Sequence, residues 1–489
     1  MKQHTPLKAL EKISSKPHPR LTAVKMLSAD TDTICAIATS PGKSGIGIIR
    51  ISGPKCKEIA KQVLGFCPTP RNAHYCSFLD NNSEIIDKGI GIFFASPNSY
   101  TGEDVLELQG HGGFFILNRL LKTTISFGAR LARPGEFSER AFINSKMDLA
   151  QAEAIADLID ASTQQAARSA LRTMEGLFSK FINELVLKII EIRVFLEAAI
   201  DFTDEDIDFL SEGGTKEKLI EIIGLLENVF QQAKQGSILR EGITVAIAGK
   251  PNAGKSSILN AMSGRDSAIV TAIPGTTRDV LSELIDIDGM PVHIIDTAGL
   301  RNSQDIVEKE GIKRARKAID GADIILLIID VSSYPHDSLS VMKHFEETGL
   351  PQSVFQQGKG LIVFNKIDLL STTDDLPNSV TIHNKEICCV FASAITDSGI
   401  ASLRVALKNS VGFNLTEEGS FIARERHINA LERTSDVLQS ALNQLGETVA
   451  LELVAEDLRM AQKYLGEITG EFTTDDLLGE IFSSFCVGK

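Results

Sequence analysis

Eight residues, Gly249-Lys250-Pro251-Asn252-Ala253-Gly254-Lys255-Ser256, constrain this chain more than any other stretch. Ahead of them runs the apolar, strand-like Ile243 to Ala248, and behind them Ser257-Ile258-Leu259-Asn260-Ala261-Met262 can open a helix. That order of strand, loop and helix is the setting a phosphate-binding loop requires. Glycines at 249 and 254 let the backbone wrap an anion, whose oxygens accept from successive N–H groups at a helix N-terminus. Lys255 adds a point charge for the outer phosphates, and Ser256 a hydroxyl for magnesium.

Four further motifs follow in the order a guanine-nucleotide domain needs. Thr276-Thr277-Arg278-Asp279 offers a threonine hydroxyl to the magnesium shell. Asp296-Thr297-Ala298-Gly299 ends an apolar run, which puts Asp296 near magnesium and the Gly299 N–H where a terminal phosphate is sensed. Asn365-Lys366-Ile367-Asp368 ends another run, and Asp368 can accept from two guanine N–H donors that adenine lacks. Ser393-Ala394 closes the base pocket. Sites beyond the carboxyl ends of strands are what an open α/β sheet predicts. Ras-like domains orient the attacking water with a glutamine after Asp-x-x-Gly, but Leu300 stands there, so another polar group is needed; Glu308 and Glu310 are the candidates.

The 489 residues exceed one ordinary core, so two to four domains are expected. No apolar run approaches the roughly 20 residues that cross a bilayer. A net charge of -14 argues against coating nucleic acid by bulk electrostatics, so RNA contact must be local or shared with a partner. Seven cysteines without a repeated C-x-x-C pair favour a reducing compartment and give no strong zinc site. Residues 1–30 read as a flexible extension, or as sequence upstream of a start at Met26.

From about 31 to 147, β-branched runs alternate with glycine turns and helical stretches, giving an α+β domain. Helical spacing of Leu149, Ala152, Ile155, Ala156 and Ile159 opens a helical part over 148–238. Strands and helices then alternate over 239–412, as in a largely parallel sheet covered on both faces, and 413–489 is helical again. Helical parts on both sides suggest that the α/β module is inserted into one helical domain; two separate helical domains are the alternative.

With these motifs stands a block from Thr33-Ile34 through Gly42-Lys43-Ser44-Gly45-Ile46-Gly47-Ile48-Ile49-Arg50-Ile51-Ser52-Gly53. Further blocks are Tyr100-Thr101-Gly102-Glu103-Asp104, Gly110-His111-Gly112-Gly113, Ala132-Arg133-Pro134-Gly135-Glu136-Phe137-Ser138, and the terminal Phe485-Cys486-Val487-Gly488-Lys489. Together they closely resemble the MnmE (TrmE) family of tRNA-modification GTPases, from about residue 31 to 489. The resemblance implies a multidomain α/β and α fold: an α+β N-terminal, folate-binding-like dimerisation domain, a discontinuous helical domain and an inserted Ras-like P-loop G domain. It implies a cytoplasmic homodimer that, with an FAD-dependent MnmG (GidA) partner, adds an aminomethyl or carboxymethylaminomethyl group at C5 of the tRNA wobble uridine.

The carbon would come from a reduced folate, a 5-formyl- or methylene-tetrahydrofolate, held by Arg50, Glu107, Lys146 and Lys489, with Cys486 a further candidate. The resemblance further implies nucleotide contacts from Asn252, Ala253, Gly254, Lys255, Ser256 and Ser257, from Thr271, Ala272, Ile273, Pro274, Gly275, Thr276 and Thr277, and from Asp296, Thr297, Ala298, Gly299, Asn365, Lys366, Asp368, Ser393 and Ala394. Magnesium would be held by Ser256 and Thr277. Potassium, bound by Asn252, Thr271, Ile273 and Thr276, would replace an arginine finger, and Glu308 would orient the water. A GTP-driven ribosome-assembly switch shares the nucleotide motifs, but does not predict the N-terminal blocks or the Cys-x-Gly-Lys end. A metabolic folate enzyme with a regulatory GTPase is the third reading.

Overall fold

Short β-branched runs separated by glycine turns condense into a six-stranded sheet in the first of the two units into which the chain divides. That unit is residues 1–148 with 474–489; the second is 149–473. The computed structural model describes residues 32–40, 42–201, 214–263, 282–296, 321–333, 340, 341, 343, 345, 358–370, 378–382, 385–414, 420–447, 451–472, 475–486 and 488.

The first sheet contains β1 (Ile34–Ile37), β2 (Ser44–Ser52), β3 (His74–Leu79), β4 (Ile85–Phe94), β5 (Val105–Gly112) and β6 (Arg130–Leu131), in the order β3-β4-β5-β2-β1-β6. Neighbours are antiparallel except β1 with β6. Along β5 the period of two is plain: Leu106 and Leu108 are buried, while Glu107 and Gln109 lie half-buried on the other face. Helices α1 (Cys56–Leu64) and α2 (Phe114–Ser126) pack on the apolar face over Ile49, Ile51, Phe93 and Leu108. In α3 (Glu136–Ile143) the Glu136 carboxylate is wholly buried. Burial pushes its pKa up, but hydrogen bonds from Arg130 and Arg140 outweigh this and hold it at about 2.

The pattern from 413 onward reads as one helical part to residue 489, yet the final helix, Asp475–Ser483, groups with the first unit. Its apolar ridge finds its partner there: the Phe482 ring lies 6.4 Å from that of Phe142, and Phe485 packs on Phe482 at 5.4 Å.

The second unit begins with α4 (Leu149–Asp160), α5 (Gln164–Met174), α6 (Leu177–Asp201) and α7 (Thr215–Glu241). Thr163 caps α5, its hydroxyl accepting from the Ala166 N–H. Then come β7 (Ile243–Ala248), α8 (Lys255–Ser263), β8 (Ser282–Ile287), β9 (Met290–Asp296), β10 (Ile324–Asp330), β11 (Gly360–Asn365), β12 (Ser379–Ile382), β13 (Lys385–Ala392) and α9 (Ile400–Ser410). Two long helices follow, α10 (Glu425–Glu447) and α11 (Leu451–Thr469). The strands form a sheet of order β12-β13-β11-β10-β7-β9-β8, parallel in its middle with antiparallel β12 and β8 at the edges. Its central strands bury both faces, and β10 is the extreme case, with Ile324 to Ile329 all buried. Helices before and after the sheet share one core, in which Ile189, Leu226, Leu431 and Leu458 meet.

Where the chain enters and leaves the sheet region, α4 ties it down. Asp157 accepts from Arg240 Nε at 2.9 Å, two residues before Gly242, and from Arg424 Nη2 at 2.8 Å, just before α10. One turn earlier Glu153 takes both prongs of Arg426 at 2.8 and 2.7 Å, and His427 Nε2 lies 3.0 Å away. The periodicity that predicts α4 holds at Leu149 and Ala152, which are buried, and fails at its far end: Ile159 is exposed, while Glu153 and Asp157 are buried.

Candidate functional site

The parallel register aligns the carboxyl ends of the central strands. Asp330 is level with Asn365, Asn365 with Ala392, and Ile247 with Asp296. Four of the motifs therefore start from one sheet edge, as the switch-point rule requires.

The loop from Gly249 leaves β7 beneath β10, and a Cβ on Gly249 would sit 2.4 Å from the Ile328 carbonyl oxygen. Asn252 at φ 66 and Gly254 at φ 90 turn the chain into α8, whose first residues are Lys255, Ser256 and Ser257. Lys255 Nζ donates to the carbonyls of Gly249 and Lys250 at 3.0 and 3.1 Å, which holds the ammonium over the loop. Asn252, Ser256 and Ser257 are exposed, and Ala253 is buried beneath them. This cradle fits a polyphosphate: close backbone approach at Gly254, a helix N-terminus and a fixed cation. Hydroxyl and amide oxygens such as those of Ser256 and Asn252 are hard donors, the kind that magnesium and potassium accept.

Hydrogen bonds tie together the neighbouring residues expected to line a base. Asn365, 2% exposed, donates from Nδ2 to the Ala253 carbonyl at 2.8 Å and so locks the pocket to the phosphate loop. Ser393 Oγ donates to Asp368 Oδ1 at 2.5 Å, aiming the carboxylate, and the Ala394 N–H reaches Asn365 Oδ1 at 3.4 Å. Lys366, in the left-handed region at φ 69, donates to Asp330 Oδ2 at 2.6 Å. Burial pushes the Asp330 carboxyl up, but Lys366 and Ser332 overcome this and leave it below the usual carboxylate range. No motif marks Asp330, although it ends an apolar strand just as Asp296 does.

Asp296 ends β9 at this edge. Thr271, Ala272, Ile273, Pro274, Gly275, Thr276, Thr277, Thr297, Ala298, Gly299, Leu300, Glu308 and Glu310 lie outside the described residues, as does the side chain of Asp296.

In the first unit Arg50 and Glu107 stand opposite each other on β2 and β5, with Arg50 Nε 3.0 Å from Glu107 Oε1. Arg50 Nη1 also donates to the Gly488 carbonyl at 3.4 Å, and the guanidinium sits 5.3 Å from the Tyr100 ring centre and 5.8 Å from that of Phe137. Gln109 Nε2 reaches the other Glu107 oxygen at 3.4 Å. A cation, a carboxylate and flanking aromatic faces are groups that suit a flat heterocycle bearing carboxylates. Lys146 Nζ donates to the Pro97 carbonyl at 2.8 Å. Cys486 is exposed, with its carbonyl accepting from the Gly135 N–H. Lys489 lies outside the described residues.

Residues 33–146 match the family described as GTP-binding protein TrmE N-terminus, and residues 149–486 match the MnmE helical domain. The chain belongs to the MnmE (TrmE) family. Relatives named tRNA modification GTPase MnmE span nearly all of it. That of Haemophilus influenzae (strain PittEE) is 55% identical over 459 residues, covering 94% of this chain and 100% of the relative. That of Coxiella burnetii (strain RSA 493 / Nine Mile phase I) is 52% identical over 461 residues, covering 94% and 99%. As a member of the MnmE family the chain binds and hydrolyses GTP, and it acts in tRNA modification. No helix among the described residues is long and apolar enough to cross a membrane.

Proposed function

We propose that this chain is the GTP-hydrolysing component that helps install an aminomethyl or carboxymethylaminomethyl group at C5 of the tRNA wobble uridine, with a reduced folate as carbon source. The observation that carries the folate part is the Arg50–Glu107 pair beside Tyr100 and the Gly488 carbonyl. Arg50 can bind a folate carboxylate, and Glu107 can accept from pterin N–H donors. Lys146 and Lys489 would add charge, and Cys486 is a further candidate. The reading extends to a cytoplasmic homodimer with an FAD-dependent MnmG partner, which supplies the redox chemistry. The domains are read as 31–147 joined by the final helix, a helical domain of 148–238 with 413–473, and an inserted G domain at 239–412.

For hydrolysis, Lys255 and the loop N–H groups hold the phosphates, Ser256 and Thr277 hold magnesium, and Asp368 selects guanine. Asn252 with Thr271, Ile273 and Thr276 would hold potassium, which would supply positive charge to the phosphate site. Glu308 would orient the water.

Calorimetry with 5-formyl-tetrahydrofolate tests the folate site. Binding by the intact chain that is lost in Arg50→Ala and Glu107→Gln supports it, and equal binding by all three refutes it. GTP turnover in potassium and in sodium, for the intact chain and for Asn252→Ala, tests the ion; equal rates in both salts would refute that assignment. Wobble-uridine analysis of a deletion strain separates this reading from a ribosome-assembly switch, which leaves the nucleoside unchanged.

A further inference from the structure

The base pocket is built from motif residues except at one place. Asp330, at the end of β10, spends both carboxylate oxygens there. Oδ2 accepts from Lys366 Nζ at 2.6 Å, and Oδ1 accepts from the Ser332 N–H at 3.0 Å and the Ser332 hydroxyl at 2.7 Å. Ser332 lies in the short 3-10 turn Val331–Ser333, so the carboxylate is braced by backbone as well as by a side chain. At the other end of the ion pair, Lys366 occupies the left-handed region at φ 69 and ψ 36, between a strand and the turn Ile367–Leu369. A long flexible side chain loses rotamer entropy when it is fixed. A partner that fixes its ammonium therefore fixes the stem too. Lys366 stands in the chain between Asn365 and Asp368, the residues read above as lining the base.

We infer that Asp330 is a positioning residue for guanine nucleotide: it stretches Lys366 along one wall of the base pocket so that the stem is already ordered when the base arrives. Pre-ordering lowers the cost of binding and slows release. The inference rests on the base pocket being formed by Asn365, Lys366 and Asp368.

The test is a double-mutant cycle on the full chain with fluorescent GDP, reading affinity and dissociation rate. Asp330→Asn keeps an oxygen for the Ser332 N–H but turns a donor toward the ammonium. It should weaken GDP binding roughly tenfold, the scale of one charge-assisted hydrogen bond shared with solvent, with most of the change in dissociation. Lys366→Met keeps the stem and loses the partner. Adding Asp330→Asn to Lys366→Met should cost nothing further, because Asp330 acts through Lys366. Ser332→Ala, which only loosens the carboxylate, should give a smaller loss of the same kind and serves if Asp330→Asn does not fold. Independent, additive losses would overturn the proposal. So would unchanged or tighter binding in Asp330→Asn, the latter meaning that the pair holds Lys366 away from the base. If the unaltered chain shows no preference for GDP over ADP, the pocket assignment itself fails, a result distinct from a neutral Asp330→Asn in a chain that does discriminate.

Discussion

Gly254→Ala tests the coupling between phosphate loop and base pocket. Gly254 lies at φ 90, and a Cβ there would fall 2.2 Å from Asn365 Nδ2. Two costs follow. A left-handed backbone for alanine costs about 1–2 kcal/mol. The Asn365 amide must also move, breaking its 2.8 Å bond to the Ala253 carbonyl. Leaving a buried polar group unpaired costs about 1–3 kcal/mol. The sum, about 2–5 kcal/mol, corresponds to a loss of GDP affinity of roughly 30-fold or more if it falls on the binding-competent loop. Titration of fluorescent GDP, with melting of the nucleotide-free protein as control, measures it. In an Asn365→Ala background the clash is gone, so Gly254→Ala should then cost only the backbone strain. Affinity within threefold of the unaltered chain, or strictly additive losses in the double variant, would refute the steric argument.

Glu153→Gln leaves the guanidinium of Arg426 without its buried counter-charge and should lower stability by about 3–5 kcal/mol in urea unfolding. His427 carries a pH signature: burial, reinforced by Arg426, pushes its pKa down to about 4 against the Glu153 carboxylate. The unfolded chain therefore binds the proton first, so this contribution is complete above about pH 6.5 and is lost as pH falls toward 4. His427→Gln should flatten the pH dependence of stability, measured by urea unfolding, across that window. Asp368→Asn replaces an acceptor with a mixed amide and should shift base preference from guanine toward xanthine, read by competition between GDP and XDP.

The features that are legible in the sequence are those that depend on local spacing. The apolar run Ile324–Asp330 predicts β10 to the residue, and the glycines at 249 and 254 predict the loop between β7 and α8. What escapes is what distant residues decide. β3 is mostly half-buried, with Tyr75 facing outward and only Phe78 fully buried, so its local pattern is weak. Glu153 and Asp157 look like the solvated side of α4 until Arg240, Arg424 and Arg426 arrive from far along the chain to neutralise them. The final helix has an ordinary amphipathic pattern, and nothing in that pattern says which unit its Phe482 will join. The role of Asp330 is equally hidden, because its partner, Lys366, comes beside it only through strand register.

The carboxylate of Asp157, shared by Arg240 and Arg424, makes one doorway through which the chain leaves the helical core and returns. A loop's closure entropy rises only slowly with its length, so what lies beyond the doorway can be long, short or exchanged at little thermodynamic cost to the helices. The nucleotide-binding module is in this sense a cassette. Excising the chain between the two arginines and joining them through a few glycines and serines should leave a helical bundle that still folds around Ile189, Leu226, Leu431 and Leu458.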